Sequence, residues 1–298
     1  MILERRVPIR YILGQVRVDL IYIIGFAIVM MIIEYFVSFE LPLTIPAFLG
    51  TAISLILSFR LNQSYQRWWE ARKIWGAIVN DSRSLVVQVK NFTRSHQTPE
   101  VEQIIKEIAN VQIAWCHALS KSLRKQNATD FLDKYITKEE KKEIEKHSNV
   151  PLALIDLNSR KVQSLFAMNV LNNFQYVEVD ATFVRLCASM GKAERIKNTV
   201  FPKMYCLLLH VFIYVFLCML DIAITELNPL IELLIILVIA TTFFLLERTA
   251  FNLQDPFENR PTDIATTTIS NTIELNLKQL VNEKHELPKT DPDSFYVL

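Results

Sequence analysis

Two hydrophobic patterns alternate along this chain. Nearly unbroken apolar runs lie at about residues 20–39, 43–60, 204–221 and 229–247, each close to the ~20 residues that cross a bilayer core as helix. The second run passes without Gly or Pro between Thr51 and Trp75 into RLNQSYQRWWEARKIW. This predicts a helix continuing to about residue 75, a rod of ~38 Å from Thr51 that leaves the membrane. The remaining chain, about 76–203 and 248–298, is periodic. Pro99 opens a stretch with Val101, Ile104, Ile105, Ile108 and Val111 at helical spacing. Asp130 to His147, rich in Lys and Glu, reads as short solvated helices, and Pro151 opens an amphipathic stretch running with one break to Gly191. A loop, DPFENRPTD, precedes a last helix, and the tail from Asn282, with Pro288 and Pro292, reads as extended. No alternating strand pattern occurs. The predicted fold class is all-α: a polytopic membrane protein with four membrane helices and a large helical region outside the bilayer.

The second apolar run carries two adjacent stripes at i, i+4 spacing. Gly50, Ser54, Ser58 and Asn62 are small or polar and suit close helix packing. Thr51, Leu55 and Phe59 form the neighbouring stripe, which a ring of helices would present to a pore. The competing reading is plain packing inside a membrane bundle.

Charge placement orients the chain. There is no Lys or Arg from Glu34 to Phe59 or from Met204 to Glu247, whereas Arg5, Arg6, Arg10, Arg17, Arg60, Arg67, Arg72, Lys73, Arg195, Lys197 and Lys203 flank the runs. Positive-inside bias places these flanks and both termini in the cytosol of a cell (inner) membrane. The outer loops then hold Glu40, Asp221 and Glu226 and no basic residue, and Glu34 is expected near the outer interface or facing a wet cavity. A net charge of +1 gives no sign of a nucleic-acid partner. The first run has no small-residue cleavage site after it and reads as an uncleaved anchor.

Catalytic chemistry is sparse. The 5 glycines are scattered, so no nucleotide-binding loop can be built, and the 4 cysteines form no CxxC pair. Cys206 and His210 share a helix face, but two potential ligands do not complete a metal site. Neither an enzyme nor a cofactor is predicted. A membrane receptor or enzyme with a helical output domain would need a nucleotide loop, triad or metal cluster, and a secondary transporter would show repeated halves.

Phe59-Arg60, Ser64-Tyr65, Arg67, Glu70-Ala71-Arg72 and Trp75-Gly76, with Gly191, Glu194-Arg195, Asp255-Pro256-Phe257, Asn271-Thr272 and Glu274, resemble the signature of the bestrophin family, particularly its bacterial members. The resemblance implies a homopentameric ion channel in a lipid bilayer with one pore on the symmetry axis. It places Thr51, Leu55 and Phe59 in a hydrophobic neck and Phe174 in a second, cytosolic constriction. Thr51 stands where a large apolar residue is usual, which implies a wetter outer neck. Animal members bind calcium through an acidic run after the Pro-Phe. That run is missing here, and isolated Asp255, Glu258 and Asp263 do not supply the ligand number calcium favours. Similar bacterial members conduct monovalent cations and animal ones chloride. With acidic outer loops, which focus cations, the expectation is small monovalent cations such as sodium or potassium, a chloride channel of the same fold being the alternative.

Overall fold

The computed structural model describes residues 1, 7–34, 36, 41–199, 202–288 and 294–298, excluding the side chain of Glu34. Its described residues form α1 (Ile9–Glu34), α2 (Thr44–Phe92), α3 (Pro99–Leu123), α4 (Lys138–Ile144), α5 (Val150–Ala167), α6 (Asn173–Asn198), α7 (Lys203–Ala223), α8 (Pro229–Gln254) and α9 (Thr266–Leu280), with one 3₁₀ turn at Leu132–Lys134. They group into two compact units, one spanning 4–68 and 200–255, the other 69–199 and 256–298 with Met1.

The first unit holds α1, the start of α2, α7 and α8. All four helices are long and apolar enough to cross a membrane. The first begins at Ile9, ahead of the expected boundary near residue 20, because Val16 and Ile23 already enter the core. α8 opens on an Asn228 N-cap with Pro229 behind it, a residue that tolerates the first helical turn. Its far end runs past residue 247 to Gln254, whose carbonyl accepts from Arg67 Nε at 2.9 Å. That bond satisfies one of the carbonyls a helix end leaves open. The core joins Ile53 and Leu57 of α2 to Ile213, Phe216 and Leu217 of α7 and Ile236, Ala240 and Phe244 of α8. Lipid tails are as apolar as these side chains, so close packing rather than escape from water holds such a bundle.

The second unit is built on α3, which packs against α5, α9 and α6. α2 enters it with Ala71, Trp75, Ile78, Ser82, Leu85 and Val89, all 0% exposed and spaced alternately by four and three residues. This stripe carries the helix through Gly76 to Phe92, well beyond the expected end near residue 75. A helical Gly costs ~1 kcal/mol, less than burying Trp75 and Ile78 on either side returns. Helix starts follow the side chains: Thr98 caps α3, Thr137 and Glu140 form a capping box on α4, Asn149 caps α5, and Asn172 and Gln175 form a second box on α6. The expected break in the stretch from Pro151 falls at residues 168–172, where Asn169 adopts φ 58°. α6 then continues past Gly191 to Asn198.

Candidate functional site

In the first unit α2 has two faces. Ile53 and Leu57 are 1% and 2% exposed and enter the bundle, as does Arg60 at 1%. Leu55 and Phe59 are 59% and 60% exposed and, with exposed Thr51, lie outside it. These residues recur every fourth position, ~6 Å apart along the axis. The Thr51 hydroxyl donates to the Ala47 carbonyl at 2.8 Å, so the stripe shows no unsatisfied donor at its polar end.

The small-residue stripe divides. Gly50 is buried, and a Cβ there would lie 2.8 Å from Phe216 Cε2, so the missing side chain admits α7. Ser54 and Ser58 instead lie exposed beside Thr51, Leu55 and Phe59, and Ser54 donates to the Gly50 carbonyl at 2.7 Å. Only Gly50 therefore acts as a packing seam within the chain, because successive stripe positions on a 3.6-residue helix drift around its axis away from α7.

The acidic residues expected on the outer side also divide. Glu40 lies outside the described residues, as does the side chain of Glu34. Glu226 is exposed. Asp221 is 1% exposed and interacts with Glu232, one turn into α8. It is a bundle group, in contrast with the solvated outer carboxylate expected from sequence. In the second unit, Phe174 stands at the second position of α6 and is 88% exposed, a large apolar side chain its own chain leaves uncovered. In the loop before α9, Asp263 is 0% exposed and its Oδ2 accepts from the backbone N–H groups of Glu258 at 2.6 Å and Arg260 at 3.0 Å. That carboxylate holds the turn.

One cluster escaped the sequence reading. Within the first unit, Glu247 of α8 accepts from Arg60 Nη1 at 3.3 Å and lies 2.7 Å from His210 Nδ1. The other ring nitrogen, Nε2, faces Asp19 Oδ1 of α1 at 3.6 Å, and the same oxygen accepts from Tyr214 OH at 2.9 Å. A cavity of about 310 Å³ opens beside these groups, with Phe244 and Arg248 on its wall. The residues come from four helices far apart in sequence. The available signal was that each ionisable group interrupts or borders an apolar run, where a charge is costly without partners.

A second polar cluster is built in the other unit. Glu274 of α9 is 4% exposed and accepts from Lys134 Nζ at 2.7 Å and Tyr135 OH at 2.9 Å, with His117 Nε2 at 3.1 Å. Burial alone would raise its pKa; the hydrogen bonds from His117, Lys134 and Tyr135 outweigh that and hold it at about 2. Glu274 thus ties α9 to α3 and to the 3₁₀ turn.

Comparison with known proteins agrees with this layout. Residues 9–279 match the family described as Bacterial/Fungal Bestrophin protein. The chain is 32% identical over 290 residues to the voltage-dependent anion channel-forming protein YneE of Escherichia coli, covering 95% of this chain and 91% of that one. It is 30% identical over 289 residues to the protein of the same description from Salmonella typhimurium, again over 95% and 91% of the two chains. A crystal structure of a bacterial bestrophin homolog from Klebsiella pneumoniae superposes with a TM-score of 0.83 at 26% identity, over 92% of this chain and 100% of that one. A family match over most of the chain, joined to a four-span helical architecture that extends into a long helical second unit, makes this protein a bacterial bestrophin, a member of a family of channels rather than enzymes.

Proposed function

We propose that copies of this chain assemble as a ring, a pentamer, around an axis lined by α2, and that small monovalent ions pass along it. The observation that carries this reading is the division of α2. One face is locked into its own bundle through Ile53 and Leu57, while Thr51, Leu55 and Phe59 stay uncovered. One chain has too few spans to enclose a pore with a single helix, so a closed ring of copies supplies the enclosure. Collars of apolar side chains set a barrier through the hydration an ion loses. Phe174 forms a second constriction in the cytosolic unit by the same logic. On this reading both termini lie on the cytosolic side of the inner membrane, which the flanking Lys and Arg residues support.

The conducted ion on this reading is an anion such as chloride. The support is the description of the relatives as voltage-dependent anion channel-forming proteins. The earlier expectation of cations loses part of its basis because Asp221 is buried. Cation conduction is kept as a second reading by exposed Glu226, which has no basic residue in its loop. Purified protein in a planar bilayer under asymmetric sodium chloride decides between them. A reversal potential near the chloride equilibrium value supports the anion reading, one near the sodium value replaces it with cations, and absence of current overturns the channel proposal.

A further inference from the structure

Phe59 and Arg60 are neighbours on α2 but point to opposite environments, 60% and 1% exposed. On a helix, consecutive side chains differ by ~100°, so a hold on one fixes the direction of the other. Arg60 is held by Glu247, Glu247 by His210, and His210 faces Asp19, at 3.3, 2.7 and 3.6 Å in turn. This chain of contacts joins the helix that carries the proposed neck to α8, α7 and α1.

The imidazole is the variable member. A neutral ring has one N–H and can donate to Glu247 or to Asp19; the imidazolium has two and can donate to both. Nδ1 is within hydrogen-bond reach of Glu247 at 2.7 Å and Nε2 stands at ion-pair distance from Asp19, 3.6 Å, so the ring lies between two carboxylates. The other groups around it are Tyr214, whose OH already donates to Asp19, Cys206 on its own helix, Arg60, and Arg248, whose guanidinium lies 5.8 Å over the Phe251 ring. His210 is 35% exposed beside the cavity, within reach of water and protons.

We infer that His210 is a protonation-dependent positioning residue for the neck. Its charged form bridges Asp19 and Glu247, Glu247 anchors Arg60, and Arg60 fixes Phe59 in the collar. Loss of the proton releases one of the two carboxylates and loosens α7 against α1 or α8. The motion reaches α2 a second way, since Gly50 abuts Phe216 of α7. The inference rests on the proposed α2 pore and adds a control point to it.

The test is single-channel recording of the full chain in planar bilayers with equal pH on both sides, between about pH 5 and 8, the range in which an imidazole changes charge. Wild-type conductance is expected to be several-fold lower at the acidic end. His210→Gln is expected to remove the pH step and stay near the alkaline wild-type level. Asp19→Asn, which leaves the Arg60 and Glu247 pair intact, is expected to flatten the step. A wild-type profile without a step, or an unchanged step in His210→Gln, overturns the inference. If gel filtration shows that His210→Gln does not assemble, an unchanged step in Asp19→Asn overturns it instead. Phe59→Ala separates this from the pore reading: an intact oligomer with unchanged current rejects the α2 neck, whereas raised current beside an unaltered His210→Gln step rejects the protonation control alone.

Discussion

Glu274 shows how one buried carboxylate links three segments of the second unit, and its titration gives a signed prediction. Its ordinary value is 4.5 and its folded value about 2, so the unfolded chain takes up the proton first. Its contribution to stability is complete above about pH 4.5 and is lost as the pH falls toward about 2. Thermal melting of wild type is expected to decline across that window. Glu274→Leu should flatten the decline and lower stability at neutral pH by about 1 to 3 kcal/mol, since Tyr135 and His117 lose their acceptor. An acid decline of unchanged steepness in the variant would assign it to other carboxylates. Gly50 is the second residue with a sharp consequence. Gly50→Ala places a methyl 2.8 Å from the ring of Phe216, itself packed 5.3 Å from Phe243. Overpacking of this kind costs ~1 to 3 kcal/mol, and a melting temperature equal to wild type would show that Phe216 swings clear.

At the scale of the element, α2 offers a paired comparison between faces. Leu55 and Phe59 are more than half exposed in their own chain, so Leu55→Ala or Phe59→Ala removes little of the bundle. Each is expected to raise single-channel conductance by widening and wetting the proposed neck, with no change in the sign of selectivity. Leu57, 2% exposed, is the opposite case: Leu57→Ala leaves a cavity in the bundle and is expected to lower the yield of assembled protein. Loss of assembly in Phe59→Ala to the same degree as in Leu57→Ala would make Phe59 a packing residue. The continuation of α2 to Phe92 was only half legible. The absence of Gly and Pro up to Trp75 was plain, but Gly76 reads as a weak point until the buried stripe from Ala71 to Val89 is known.

At the scale of the whole molecule, a detergent-solubilised particle of several subunits is expected by light scattering, and a monomer would reject the ring. The sequence by itself determined the all-α class and the four spans, and it put the starts of α2, α3, α5, α7 and α8 within a residue or so of where they fall. These follow from local physics: apolar run length against bilayer thickness, and caps such as Thr98, Asn149 and Asn228 placed one residue before their helices. It also singled out Thr51, Leu55 and Phe59, since i, i+4 spacing survives translation into a helix face. Tertiary structure decided what spacing does not encode. Which face of α2 its own bundle covers depends on α7, and so Gly50 turned inward while Ser54 and Ser58 did not. Asp221 is 1% exposed and meets Glu232 of another helix, a neighbour that spacing along the chain does not show. Asp19, Arg60, His210 and Glu247 carry no mutual signal along a chain whose positions run from 19 to 247, and only the packing of four helices brings their charges within reach of one another.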